Sequence, residues 1–205
     1  ARALLAAAAI PIAAPSANRS GELSPTTAAH VARSLGDRVD VTLDGGPSPV
    51  GIESTVVSLL GEIPTILRPG TLSMDALRAV AGGLTIFAAS NAEGAPLPSP
   101  GMLDRHYAPR AKLSLFDPDA PAAAEPAERA APERRVAVLV LRAERPPPGE
   151  LVRMPDDPAA YAARLYATLH QLDEEGYDMV WVERVPPEDA WDGVRDRLRR
   201  AAQSA

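Results

Sequence analysis

Residues 11–27, PIAAPSANRSGELSPTT, concentrate small polar groups directly after a run of alanines. The stretch holds hydroxyl side chains, an asparagine, an arginine and a glycine between prolines, and it has few bulky side chains to pack. Small hydroxyls, glycines and the amides at a helix N-terminus bind phosphate, because they approach closely and donate hydrogen bonds. We therefore interpret the stretch as a candidate anion site in which Ser24 and Pro25 open a helix. An ordinary capped turn is the alternative that spacing alone leaves open.

Two further stretches carry groups of the same kind. Residues 45–57, GGPSPVGIESTVV, place glycines that allow close backbone approach to a ligand before Glu53 and Ser54, which lead into a strand. Residues 66–73, ILRPGTLS, place Arg68 at a strand end before a Pro-Gly turn. An arginine there suits bidentate binding of a phosphate, and a surface salt bridge is its common alternative role.

Composition excludes several classes of site. The 205 residues carry a net charge of −6, so bulk attraction to nucleic acid or anionic lipid is not expected. The absence of cysteine excludes disulfides and thiolate metal sites, and the three histidines lie far apart in sequence, which argues against a histidine metal site. The alanine-rich start lacks a basic segment typical of a signal peptide, and no apolar run is long enough to span a membrane. These features predict a soluble, cytoplasmic protein.

The elements of the first part predict a mixed sheet. Its strands lie close together in sequence with few helices between them, which favours a partly antiparallel α/β arrangement. Ser24 and Ser73 are the predicted N-caps of the second and third helices. The predicted helices span 2–9, 25–35 and 74–81, and the predicted strands span 10–14, 37–44, 54–60 and 64–68.

The composition changes at about residue 89. Residues 89–110 are rich in proline and lack periodicity, as is typical of an extended linker. Beyond them, apolar β-branched runs suited to buried strands alternate with helical segments, which predicts a small parallel, Rossmann-like sheet. The predicted strands lie at 111–117, 134–141 and 177–183, and the helices at 158–175 and 187–202. No G-x-G-x-x-G motif is present, so nothing indicates dinucleotide binding.

Four stretches, in this order, resemble the threonylcarbamoyl-AMP synthase family: APSANRSGELSPT, GGPSPVGIESTVV, ILRPG and SPGMLDRHYAP. The pattern AARLYATLHQLDEEGYDMVWVE is similar to that family's C-terminal domain. The family couples a YrdC-like catalytic domain through a linker to a small C-terminal domain. The resemblance therefore implies that residues 1–88 are the C-terminal part of a YrdC-like domain with a mixed α/β sheet. It makes residues 89–110 the Pro-rich linker and residues 111–205 the Rossmann-like C-terminal domain.

The resemblance also implies a reaction and its site. L-threonine, bicarbonate and ATP give threonylcarbamoyl-AMP and pyrophosphate, the first step of the threonylcarbamoyladenosine (t6A) modification of tRNA. ATP is a substrate that carries its own Mg²⁺, and no protein-bound metal or organic cofactor is expected. Carbamate attack on the α-phosphorus needs positioning and charge neutralisation, so no nucleophile or base is predicted. The residues implied for ATP are Ser16, Ser24, Arg68 and Tyr107, and those implied for threonine are Ala14 and Ser54.

Departures from the family keep two alternatives open. The family's front half supplies a cationic segment against the triphosphate, and this sequence has no counterpart, so the chain alone is expected to be inactive. Leu103 and Asp104 stand where the family commonly has a basic and an aromatic residue. The alternatives are an inactive ligand-binding remnant and an RNA-binding module, because YrdC-like domains resemble double-stranded RNA binders. The net charge of −6 argues against RNA. A tRNA-modifying transferase complex is the expected downstream partner, with no membrane contact.

Overall fold

The computed structural model describes residues 1–87, 106–120 and 134–203, and it contains two β-sheets. We call residues 1–87 the N-terminal unit and residues 111–203 the C-terminal unit. The helices are α1 (Arg2–Ala8), α2 (Ala28–Leu35), α3 (Met74–Ala81), α4 (Pro158–Glu174) and α5 (Asp192–Ala201). The strands are β1 (Val56–Ser58), β2 (Thr65–Arg68), β3 (Thr85–Ile86), β4 (Lys112–Phe116), β5 (Val136–Val140), β6 (Glu150–Arg153) and β7 (Met179–Glu183).

The sheet of the N-terminal unit is mixed, as predicted. Strand β2 lies between β1, which runs antiparallel to it, and β3, which runs parallel to it. Helix α3 lies between β2 and β3 in the chain. It begins as predicted, because the Ser73 hydroxyl accepts a hydrogen bond from the Ala76 amide (3.2 Å). The sheet places the second and third motif stretches side by side, because Val56 of β1 pairs with Arg68 of β2.

The prediction of two strands in this unit is wrong. Residues 10–14 and 37–44 form no strand, and a 3₁₀ turn occupies Gly36–Arg38. Their apolar side chains face solvent, with Val41 72% exposed. A strand needs a neighbour to pair its backbone amides and carbonyls, and neither segment has one within the described residues.

The predicted start of the second helix is also wrong. Helix α2 begins at Ala28 and is capped by Thr27, whose side chain accepts a hydrogen bond from the His30 amide (3.3 Å). Ser24 does not cap it, and Pro25 is not its first residue. The Ser24 hydroxyl donates instead to the Glu53 carboxylate, so it is occupied by a distant partner.

The C-terminal unit is a four-stranded parallel sheet, which confirms the Rossmann-like prediction. Its strand order is β4-β7-β5-β6, and every pair is parallel. All five residues of β7 are buried, as expected for a central strand covered on both faces. Strand β6 was not predicted, because ELVR at this edge has no apolar run and is largely exposed. Residues 121–133, between the first two predicted strands, lie outside the described residues, as does most of the predicted linker at 89–110.

One core joins the two units. Leu23 and Ile52 of the N-terminal unit and Tyr107 of the linker are buried in the same cluster as α4, α5 and the sheet of the C-terminal unit. Trp181 and Trp191 are buried in the C-terminal unit, 5% and 4% exposed. None of the helices in the described ranges is long and apolar enough to cross a membrane.

A buried carboxylate fills the loop that follows β5. Glu183, at the end of β7, accepts hydrogen bonds from the amides of Leu141 (2.6 Å), Arg142 (3.0 Å) and Ala143 (3.0 Å). This loop lies at the carboxyl edge of the parallel strands, where such folds commonly bind ligands. The side chain thus satisfies three backbone amides of this loop, and its role here is structural.

Replacing Glu183 by alanine is expected to destabilise the protein by about 3 kcal/mol or more. The change leaves three amide donors without their acceptor, and each hydrogen bond to a charged group contributes roughly 1.5–3 kcal/mol. Urea unfolding followed by circular dichroism measures the loss. Glu144→Ala is the matched control, since Glu144 is exposed in the same loop. Equal unfolding midpoints for the two variants would contradict this role.

Candidate ligand site at the junction of the two units

Glu53 is the centre of a buried polar network between the units. Its Oε1 accepts a hydrogen bond from the Ser24 hydroxyl at 2.5 Å, and its Oε2 accepts from the Tyr166 hydroxyl at 3.2 Å. Arg197 of α5 completes the set through its Nε, 2.7 Å from the same Oε2. Two of these four residues come from the N-terminal unit and two from the C-terminal unit. The network therefore fixes the first motif stretch, the second motif stretch and two helices in one arrangement.

The electrostatics of the network favour an ionised carboxylate. Burial by itself would raise the pKa of Glu53, but the Arg197 guanidinium and the Ser24 hydrogen bond outweigh it and hold that pKa below its usual value. Burial, together with the Glu53 charge, raises the pKa of Tyr166 well above its usual value. Tyr166 is therefore a neutral donor, and Glu53 and Arg197 form an ion pair with hydrogen-bonded partners.

The second and third motif stretches are in direct contact. Arg68 Nε donates to the Ser54 carbonyl at 3.1 Å. A Cβ placed on Gly70 would lie 2.3 Å from the Thr55 amide nitrogen, so only glycine allows this turn to lie so close. A Cβ on Gly193 would lie 2.3 Å from the Gly70 carbonyl oxygen. Helix α5 thus begins directly against the LRPG turn.

The described end of the linker contributes Tyr107. Its side chain is buried, and its backbone has a positive φ of 62°, a strained conformation for a residue with a side chain. The ring lies 5.2 Å from Arg197 Cζ and stacks on Tyr166 with centroids 5.9 Å apart. The next residue, Ala108, donates its amide to the Gly21 carbonyl (3.2 Å). The linker end is therefore held against both the first motif turn and the network.

Four of the six predicted ligand residues are brought together. Ser24 belongs to the Glu53 network and Tyr107 packs against it, while Ser54 follows Glu53 in the chain and accepts a hydrogen bond from Arg68. Ser16 and Ala14 are exposed on the turn that precedes Ser24 and lie outside the network. Sequence reasoning missed Tyr166 and Arg197, which belong to α4 and α5. No spacing links them to the motifs, so only the folded chain brings them there.

A cavity of about 390 Å³ lies beside this network, between α2 and α4. His30 and His170 line it with their ring centroids 3.9 Å apart and their planes tilted by 32°, and His170 Nε2 lies 3.0 Å from the Ser24 carbonyl oxygen. Burial, the neighbouring imidazole and Arg33 lower the pKa of His30 to about 4. None of the six predicted ligand residues lines the cavity. The described residues also contain no group of three or more acidic or histidine side chains that could hold a metal ion.

Comparison with known proteins decides the family. Residues 72–203, more than half of the chain, match the family model for the C-terminal domain of threonylcarbamoyl-AMP synthase. The chain belongs to the threonylcarbamoyl-AMP synthase family. Residues 1–70 match a second model, described as telomere recombination.

Relatives extend the likeness over nearly all of the chain. It is 35% identical to a threonylcarbamoyl-AMP synthase of Bacillus subtilis, over 98% of this chain and 59% of that protein. It is 37% identical to one of Schizosaccharomyces pombe, over 94% of this chain and 52% of that protein. A crystal structure of P. abyssi Sua5 complexed with L-threonine is similar with a TM-score of 0.82 and 31% identity, over 97% of this chain and 60% of that chain. The chain thus spans between half and three fifths of the length of these three relatives.

Proposed function

We propose that the whole protein to which this chain belongs forms L-threonylcarbamoyl-AMP and pyrophosphate from L-threonine, bicarbonate and ATP. The supporting observation is the convergence of Ser24, Ser54, Arg68 and Tyr107 around the Glu53–Arg197 pair, in a chain of this family. The proposal assigns residues 1–88 to the catalytic domain, 89–110 to the linker and 111–205 to the C-terminal domain. The product is the substrate of a transferase complex that places the threonylcarbamoyl group on tRNA.

The chemistry suits a site built for positioning. The threonine amine and bicarbonate form a carbamate with loss of water. A carbamate oxygen attacks the α-phosphorus of ATP, the bond to the bridging oxygen breaks, and pyrophosphate leaves with the Mg²⁺ that ATP carried. Holding the two reactants in line and neutralising phosphate charge supplies the acceleration, with no protein nucleophile.

Each site residue has a role under this proposal. Arg68 neutralises phosphate charge by a charge-assisted hydrogen bond. Ser24 and Tyr107 contact the nucleotide. Ser54 contacts the threonine. Ser16 and Ala14, on the exposed turn before Ser24, contact the nucleotide and line the threonine pocket respectively.

The N-terminal unit exposes many large apolar side chains. Leu60, Val80 and Leu59 are 99%, 91% and 75% exposed, whereas Leu151 is the one large apolar side chain of the described C-terminal unit that is exposed. Large apolar side chains exposed in this number are commonly covered by another part of a protein or by a partner. We therefore expect the 205-residue chain alone to be inactive. Activity should be measured with the whole protein.

Release of pyrophosphate by the product of the whole gene tests the proposal. We expect release from ATP that requires threonine and bicarbonate together, measured with a coupled pyrophosphatase assay. Serine in place of threonine and bicarbonate-depleted buffer are the two controls. Equal release with serine, or with no amino acid, would refute the threonine assignment, and release of phosphate with ADP would refute the adenylation.

A further inference from the structure

Arg197 holds both motif loops of the candidate site from the other unit. Its side chain is fully buried. Besides its ion pair with the Glu53 carboxylate, its guanidinium donates to the Glu53 carbonyl (3.1 Å) and to the Pro69 carbonyl (2.7 Å). Residue 53 immediately precedes Ser54, and residue 69 immediately follows Arg68. One planar group therefore fixes the backbone next to two proposed ligand residues.

The same guanidinium orders two further proposed ligand residues. Its partner Glu53 accepts the Ser24 hydrogen bond, and its Cζ lies 5.2 Å from the Tyr107 ring centroid. Asp196 accepts a fourth hydrogen bond, from the same Nη1 that bonds to Pro69 (3.0 Å), which fixes the guanidinium on α5. Tyr107 thus contacts Arg197 directly, and Ser24, Ser54 and Arg68 each lie next to a residue that Arg197 bonds to.

The contacts of Arg197 do more than hold the two units together. A buried ion pair is a poor source of stability, because desolvation of the two charges offsets much of their attraction. A fork of donors aimed at two backbone carbonyls in separate loops instead sets the distance and orientation of those loops. Ligand sites need such support, because small misplacements of binding groups are costly.

We propose that Arg197 is a positioning residue for the substrate site, through which the C-terminal unit sets the geometry of Ser24, Ser54, Arg68 and Tyr107. The inference rests on the proposed function, because it concerns how the same site binds threonine and ATP. It gives the C-terminal unit a direct part in substrate binding, without a contact between Arg197 and substrate.

Kinetics of the Arg197→Lys variant of the whole protein test this role. Lysine keeps the charge but replaces the planar fork by a single ammonium, so it cannot span both carbonyls and the carboxylate in the same geometry. We expect the KM for threonine and the KM for ATP each to rise about tenfold. Partial unfolding alone would lower the maximal rate and leave both KM values unchanged, since the folded molecules bind as before.

Arg199→Lys is the matched control. Arg199 lies two residues further along α5, has a 54% exposed side chain and pairs with Asp196 (3.2 Å). Its KM values are expected to stay within twofold of the wild type. Equal KM values for the Arg197→Lys and Arg199→Lys variants would overturn the positioning role.

Glu53→Gln provides a second route if the Arg197 variant does not fold. It removes the charge and keeps the shape, and the two KM values are expected to rise in the same direction. Where both single variants fold, the KM values of the double variant are expected to be no higher than those of the more impaired single variant, because the two residues act as one unit. Additive losses would contradict that coupling and the inference with it. A wild-type protein that makes no adduct would refute the proposed function itself, a result distinct from either of these.

Discussion

Gly193→Ala is expected to destabilise the protein by about 3 kcal/mol, although alanine normally stabilises a helix. In an open helix the change would contribute up to about 1 kcal/mol of added stability. Here the new Cβ would lie 2.3 Å from the Gly70 carbonyl oxygen and 2.7 Å from its carbon. Backbone atoms cannot rotate away, so α5 must move off the LRPG turn, at the cost typical of overpacking.

Thermal unfolding measures this effect, with an expected drop of roughly 6–12 °C in Tm for a chain of this size. Gly45→Ala is the control, because a Cβ there meets no heavy atom within 4 Å. A Gly193→Ala protein as stable as the wild type, or more stable, would show that α5 does not dock against Gly70 as described.

Arg68→Ala is expected to weaken nucleotide binding by roughly ten- to a hundred-fold while changing threonine affinity far less. A charge-assisted hydrogen bond contributes about 1.5–3 kcal/mol, which sets this range. Arg68 ends β2, and its Nε is held by the Ser54 carbonyl (3.1 Å), so the guanidinium is already oriented at the site. Calorimetric titration of the whole protein with an unreactive ATP analogue, and separately with threonine, measures both affinities.

Arg38→Ala is the control for Arg68, because Arg38 is an exposed arginine of the same unit in the 3₁₀ turn. It removes the same charge from the unit without touching the site. An unchanged dissociation constant for the analogue in the Arg68 variant would assign Arg68 to a purely structural contact. An equal loss in both variants would indicate a general charge effect.

Elements with strong local signals were predictable from the sequence. Ser73 caps α3 as expected, because a serine followed by a helix-favouring apolar pattern leaves few alternatives. Strands β4, β5 and β7 were recognised by their apolar runs, which are typical of parallel strands in a sheet covered by helices. Edge strand β6 carries no such constraint and was missed.

Elements decided by tertiary contacts were not predictable. Ser24 and Thr27 are both good N-caps, and the choice between them depends on Glu53, 29 residues away, which takes the Ser24 hydroxyl. Residues 37–44 alternate like a strand, but no partner strand lies beside them in the described residues. Local propensity gives only a weak preference in such cases, and distant contacts override it.

The residues of the candidate site also fall into those that the sequence predicted and those that it did not. Motif resemblance named Ser24, Ser54, Arg68 and Tyr107, because those residues lie in short recognisable stretches. Arg197 is one of four arginines within residues 195–200 of α5, and composition cannot single one of them out. Its distinction is complete burial against two motif loops, a property of the folded chain alone.

The fate of the bicarbonate carbon tests the central claim most directly. The whole protein is incubated with ATP, L-threonine and ¹³C-labelled bicarbonate, and the nucleotide products are analysed by mass spectrometry. The proposed reaction predicts an adduct of threonine and AMP that carries one ¹³C atom, formed together with pyrophosphate. An adduct of threonine and AMP without the label, or ADP and phosphate as the only products, would contradict it.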